Sequence, residues 1–130
     1  MFDKLKKLKE NSYSPISNYS VACIVEMIDG KHFSGVNIEN PSFKDGMCAE
    51  QVAIGAAISE GYKEGEFKKL YLLGSSDHAI TPCFLCRQYL VELFDKNAKI
   101  ISFDSKGNET IYELKELCPY TFSKEDLKND

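Results

Sequence analysis

Apolar residues along this chain alternate between two rhythms, one suited to strands and one to helices. Leu5 and Leu8 stand among lysines in residues 3–11, a spacing that predicts a short amphipathic helix with a basic outer face. The run SVACIVEM (20–27) is apolar and rich in β-branched residues, Asp29-Gly30 supplies a tight turn, and KHFSGVNI (31–38) follows, so a β-hairpin is expected. CAEQVAIGAAIS (48–59) is dense in alanine and other small residues, with Gly61 placed to end a closely packed helix. KKLYLLGSS (68–76) reads as a buried strand. From Cys83 to Phe94, residues Leu85, Tyr89, Leu90, Leu93 and Phe94 fall near helical spacing with Pro82 just ahead. AKIISF (98–103) predicts a further strand, Gly107-Asn108 a turn, and ETIYELKEL (109–117) a last helix stopped by Pro119. Strands alternating with helices after an opening hairpin predict an α/β sandwich, one mixed sheet with helices on both faces. With no repeat, low-complexity tract or Pro/Gly/Ser-rich linker, residues 1–130 are expected to form a single domain, and SKEDLKND (123–130) a solvated charged end.

Composition narrows the classes. Apolar residues make up 43% of the 130, enough for a core without disulfide staples and too many for a disordered chain. A net charge of -4 disfavours a polyanion, so nucleic acid is not expected as a partner. No stretch approaches the length of an apolar membrane span, and the first helix is too short for a membrane-surface anchor. MFDKLKKLKENS lacks the apolar core of a signal peptide, and an odd total of five cysteines does not suit a secreted disulfide framework. The expectation is a cytoplasmic protein whose thiols are reduced.

Those cysteines carry the candidate chemistry. Cys83-Phe84-Leu85-Cys86 is a CxxC pair at the start of a predicted helix. A thioredoxin-like redox pair also opens a helix, but it follows the first strand of its fold. A metal half-site needs another ligand, and Cys48 opens a second predicted helix 35 positions upstream. Helix N-termini are electropositive and favour the thiolates that zinc requires. Three thiolates leave one tetrahedral position open, as in catalytic zinc sites. Glu50, in the first turn after Cys48, is placed to move protons beside that position. Cys23, within an apolar strand, and Cys118, before Pro119, read as structural thiols. His32 and His78 lack ligand spacing and read as surface residues.

Cys48-Ala49-Glu50 followed by Pro82-Cys83-x-x-Cys86-Arg87-Gln88 resembles the zinc-dependent cytidine deaminase family in its small homotetrameric branch. The likeness spans nearly the whole chain. NYSVACIVEMIDGKHFSGVNIEN resembles that family's first hairpin, CAEQVAIGAAISEG its zinc helix, and ELKELCPYTF its C-terminal segment. It implies a three-layer α-β-α sandwich with one mixed five-stranded sheet. It also implies one Zn2+ per subunit on Cys48, Cys83 and Cys86, with Glu50 protonating N3 of cytosine and helping ammonia leave C4. Further implied are substrate binding by Ala49, ribose binding by Asn37 and Glu39, an aromatic beside the pyrimidine at Tyr19, and a C-terminal aromatic, Phe122, that reaches a neighbouring subunit's site. Gln51 and Arg87 fall in the metal's surroundings.

The implied reaction is hydrolytic deamination of cytidine and 2'-deoxycytidine in pyrimidine salvage. A modified cytosine nucleoside such as blasticidin S is an alternative substrate, although the acid at Glu39 disfavours it. A catalytically dead zinc module is a second alternative, disfavoured by the intact Glu50. The chain departs from the family pattern at four places. Gln51 replaces an arginine that offsets thiolate charge, which leaves Arg87 and the helix N-termini to do more. Phe84 and Leu85 replace a small pair, Pro41 a small residue, and Phe43 a tyrosine.

Overall fold

The computed structural model describes residues 1–128; the last two residues of the expected charged tail lie outside them. The predicted hairpin forms as β1 (Ala22–Met27) and β2 (His32–Val36), antiparallel and turned through Gly30 at φ +89°. Gly30 takes that left-handed conformation without the Cβ clash other residues suffer. The sheet continues with β3 (Phe67–Leu73), β4 (Phe94–Phe103) and β5 (Glu109–Glu113) in the order β2-β1-β3-β4-β5. Only β3 and β4 pair in parallel; the other neighbours are antiparallel.

Helices cover both faces, giving the expected three layers. On one face α1 (Phe2–Lys9) seats its wholly buried Leu5 with Ala22, Ile24, Leu73, Ile101 and Phe103. Burying a leucine there contributes about 2 kcal/mol, and Lys4, Lys6 and Lys7 of α1 stay exposed. On the other face α2 (Ala49–Ser59), α3 (Phe84–Leu93) and the short α4 (Leu114–Leu117) close over Cys23, Val25, Leu70, Leu72 and Ile100. No helix among the described residues is long and apolar enough to cross a membrane.

Two local readings change. Residues 109–117, expected as one helix, split into β5 and a single helical turn. Ile111, Leu114 and Leu117 mimic a helical stripe, but Thr110, Ile111 and Tyr112 prefer strand, and β4 offers a free edge to pair with. His32 is also more than a surface residue: its Nε2 lies 3.1 Å from Glu26 Oε1 across the hairpin, and both side chains are partly buried. His78 is exposed, as expected.

Candidate metal centre

The topology brings the cysteines together. β2 and β3 are both antiparallel to the β1 between them, so their carboxyl ends lie on the same side of the sheet. The chain leaves each and then enters a helix, α2 after β2 and α3 after β3. Cys48 is the N-cap of α2, Cys83 the N-cap of α3, and Cys86 sits in the first turn of α3. Their Sγ atoms lie within 4.8 Å of one another, with Cys48 and Cys83 at 3.8 Å. Among the described residues this is the one cluster of potential ligands of its kind.

Gly35 sets how closely α2 approaches. A Cβ there would stand 2.5 Å from Ala53 N and would also run into Ala49 O. The helix backbone therefore rests directly on β2, and the small side chains of Ala49, Ala53 and Ala57 are wholly buried.

The electrostatics match thiolate and carboxyl chemistry. Cys48 is drawn down to about 6, because its thiolate accepts a hydrogen bond from Cys86, and from Cys83, against the opposing effect of burial. Before a metal binds, the neighbouring Cys48 and then burial push the Cys86 thiol up. Glu50 is 5% exposed, and burial first, then the Cys48 charge, pushes its carboxyl up to about 7. Cys23 is wholly buried; burial and the Glu50 charge hold its thiol neutral, in keeping with a structural role.

Soft sulfur donors at these separations fit zinc, which takes thiolates tetrahedrally at about 2.3 Å. Cys48, Cys83 and Cys86 would hold it.

A cavity of about 520 Å³ opens over the cluster, lined by Cys48, Ala49, Glu50, Gln51 and Cys83 together with Asn37 and Glu39. Ile16, Val21, Phe43, Met47, Ile80, Thr81 and Leu85 add walls that the motifs alone did not single out, apart from the departures Phe43 and Leu85. Tyr19 and Phe122 are not among the lining residues. The Tyr19 hydroxyl lies 2.5 Å from Ser76 Oγ. Phe122 is 57% exposed, with its carbonyl accepting from Gln88 Nε2 at 2.7 Å.

Of the inserted bulk between the cysteines, Leu85 faces the cavity, whereas Phe84 stacks on Arg87, whose guanidinium carbon is 4.2 Å from the ring centroid. Gln51 turns its Oε1 back to accept from Cys48 N at 2.8 Å, capping the helix. Arg87 donates to Pro82 O at 2.8 Å, and to Leu117 O and Thr81 Oγ1 at 2.9 Å each, so its hydrogen bonds brace the loop ahead of Cys83 and involve no thiolate.

Three thiols meet at paired helix N-termini with a buried carboxyl beside them and a cavity above, a donor set that fits zinc on an α/β sheet. Residues 1–102 match the cytidine and deoxycytidylate deaminase zinc-binding region, and the chain belongs to that family of zinc-dependent enzymes. It is similar to cytidine deaminases of Sporosarcina psychrophila (33% identical over 122 residues, 94% of this chain and 88% of that one) and Mycoplasma genitalium (31% over 121 residues, 93% and 92%). Among solved structures, the cytidine deaminase of Burkholderia pseudomallei superposes with a TM-score of 0.87 at 32% identity, covering 92% of this chain and 94% of that one. That of Mycobacterium leprae gives 0.74 at 31%, covering 92% and 98%.

Proposed function

We propose that this chain hydrolyses cytidine and 2'-deoxycytidine to uridine and 2'-deoxyuridine, releasing ammonia, as a step of pyrimidine salvage. The observation that carries the reading is the buried Glu50 carboxyl beside the three-thiol cluster in the wall of a nucleoside-sized cavity. When bound, zinc supplies Lewis acidity that makes water a nucleophile near neutral pH. Glu50 accepts the proton that this water gives up and delivers it to N3 of the ring. As the C4–N4 bond breaks, Glu50 passes a second proton from the added hydroxyl to the departing nitrogen. The water oxygen stays on C4 as the carbonyl. Burial that raises the Glu50 carboxyl toward neutrality suits it to accept and return protons at physiological pH.

The electropositive starts of α2 and α3 offset part of the charge of three thiolates. Glu39 and Asn37 serve the sugar side of the cavity, and a carboxylate there selects a nucleoside over a free base. Ala49 lines the site beside Glu50. Phe122, displayed outside its own chain's cavity, is assigned to a neighbouring subunit's site in a homotetramer, and Tyr19 to holding the wall near the pyrimidine. Residues 1–130 act as one domain, in the cytoplasm, where free thiols persist. The acidic chain takes a small nucleoside in preference to a nucleic acid.

The test is loss of substrate absorbance with zinc-loaded protein on cytidine, 2'-deoxycytidine, 5-methylcytidine and blasticidin S, against Glu50→Gln. Turnover of the two natural nucleosides, with a loss of about 10²–10⁴-fold in the variant at unchanged zinc content, is the expected result. Absence of turnover on every substrate by the zinc-loaded protein refutes it, and turnover of blasticidin S alone moves the substrate.

A further inference from the structure

The chain between β3 and α3, residues 74–82, carries Ile80 and Thr81 into the cavity wall and leads directly to Cys83. Its start is tied to the residues just ahead of β1. Ser75 Oγ accepts from Ser20 N at 2.9 Å and donates to Ser20 O at 3.1 Å, and the Tyr19 hydroxyl meets Ser76 Oγ at 2.5 Å. At its far end the Arg87 guanidinium holds Thr81 and Pro82. Between these ties packing places Ile80, which lies against the core on one side and lines the cavity on the other.

The buried Gly74 supplies the seat for that side chain. A Cβ built at Gly74 would stand 2.6 Å from Ile80 Cδ1, 2.7 Å from the Tyr19 hydroxyl oxygen and 3.3 Å from Ile80 Cγ1. The tip of Ile80 and the Tyr19 hydroxyl therefore share the space that a side chain at position 74 would take. Gly74 does not have a positive φ, so the position demands room and not an unusual backbone conformation. A displaced Tyr19 hydroxyl gives up its bond to Ser76, and the core behind Ile80 holds no slack. The open direction for a displaced Ile80 is the cavity.

Building on the deaminase reading, we propose that Gly74 and Ser76 are positioning residues for the substrate cavity. Ser76 fixes the Tyr19 hydroxyl over the bare Gly74 backbone, the two together seat the tip of Ile80, and Ile80 sets the width available to a pyrimidine nucleoside beside the loop that enters the metal cluster. Added bulk at Gly74 drives Ile80 inward and narrows the cavity. Loss of the Ser76 hydroxyl frees Tyr19 and leaves the seat loose. Both changes act on substrate binding more than on the chemical step, since neither Gly74 nor Ser76 is among the residues lining the cavity.

The experiment compares Gly74→Ala, Ser76→Ala, Ser76→Thr, Ile80→Val and the double variant Gly74→Ala/Ile80→Val with the unmodified zinc-loaded protein. KM and kcat on cytidine, zinc content and thermal unfolding are measured for each. Gly74→Ala is expected to raise KM about tenfold, with a smaller change in kcat, unchanged zinc content and a lowered Tm. Ile80→Val removes the methyl that the new Cβ would strike, so the double variant is expected to recover most of the KM and to melt above Gly74→Ala alone. Ser76→Ala is expected to raise KM about threefold, and Ser76→Thr, which keeps the hydroxyl, to restore it. A Gly74→Ala effect that Ile80→Val does not relieve overturns the proposal, as does a loss confined to kcat or zinc content with KM unchanged. Ser76→Ala with the KM of the unmodified protein overturns the assignment of Ser76. If the unmodified protein does not deaminate cytidine, the deaminase reading fails, and the melting temperatures of the single and double variants still decide whether Gly74 seats Ile80.

Discussion

Replacing Gly35 by alanine tests whether the metal centre is positioned by a single backbone-to-backbone contact. Gly35 does not have a positive φ, so the substitution costs space and not conformation. The new Cβ would sit 2.5 Å from Ala53 N and 3.0 Å from Val52 Cβ, besides colliding with Ala49 O. Restoring ordinary separations of 3.4 Å or more requires moving α2 off the sheet by about 1 Å, because packed interiors hold no slack. Overpacking of this kind costs about 1–3 kcal/mol. The same displacement carries Cys48 and Glu50 away from Cys83 and Cys86, which stand on a different helix. An error of about 1 Å in catalytic geometry costs on the order of 10²-fold in rate. Thermal unfolding, zinc affinity by competition with a chromogenic chelator, and kcat on cytidine are the measurements. Gly55→Ala is the control: that glycine lies in the exposed side of α2 with nothing within 4 Å of an added Cβ. It is expected to stabilise by about 0.5–1 kcal/mol with catalysis unchanged. Gly35→Ala with the Tm, zinc affinity and kcat of the unmodified protein would refute the reasoning.

Two further expectations concern the other side of the sheet and the assembly. Burial works against ionisation of Glu26, but its hydrogen bond with His32 and the charges of Lys69 and Lys68 prevail and hold its carboxyl below the ordinary range. Its stabilising contribution is therefore present above the unfolded carboxyl's pKa and is lost as pH falls through the lower folded value. Urea midpoints should fall less between pH 5 and about pH 3 in Glu26→Gln than in the unmodified protein, and an equal fall in both would remove Glu26 from the acid response. If Phe122 completes a neighbouring site, activity per protomer should drop as the protein is diluted through its dissociation range, monitored by sedimentation. Constant activity down to a proven monomer excludes shared sites.

Most of the fold could be read from local pattern, because each element either buries one stripe or alternates across a sheet. The exception shows where that logic runs out. In residues 109–117 the spacing of Ile111, Leu114 and Leu117 satisfies a helix, while the β-branched and aromatic run Thr110–Tyr112 satisfies a strand. Only the free edge of β4 decides between them. The three-thiol cluster was equally readable, since Cys48 and Cys83 each open a helix and Cys86 follows in the first turn after Cys83. The roles of their neighbours were not. Gln51 was visible as a missing arginine, but that its amide caps α2 depends on a side-chain rotamer. Arg87 was read into the metal's surroundings, and the fold adds where its hydrogen bonds run, to the Pro82 and Leu117 carbonyls and the Thr81 hydroxyl.

The sequence by itself determined the alternation of strands and helices, the thiol chemistry at two helix starts and the acid beside them. These follow from residue type and spacing, which local backbone geometry converts directly into position. The tertiary structure decided which helix starts meet, how near α2 can come at Gly35, and that Asn37 spends most of its hydrogen bonds on residues 12–21. Those outcomes join segments distant along the chain, and a contact of that kind is settled by packing and hydrogen-bond satisfaction across the whole fold.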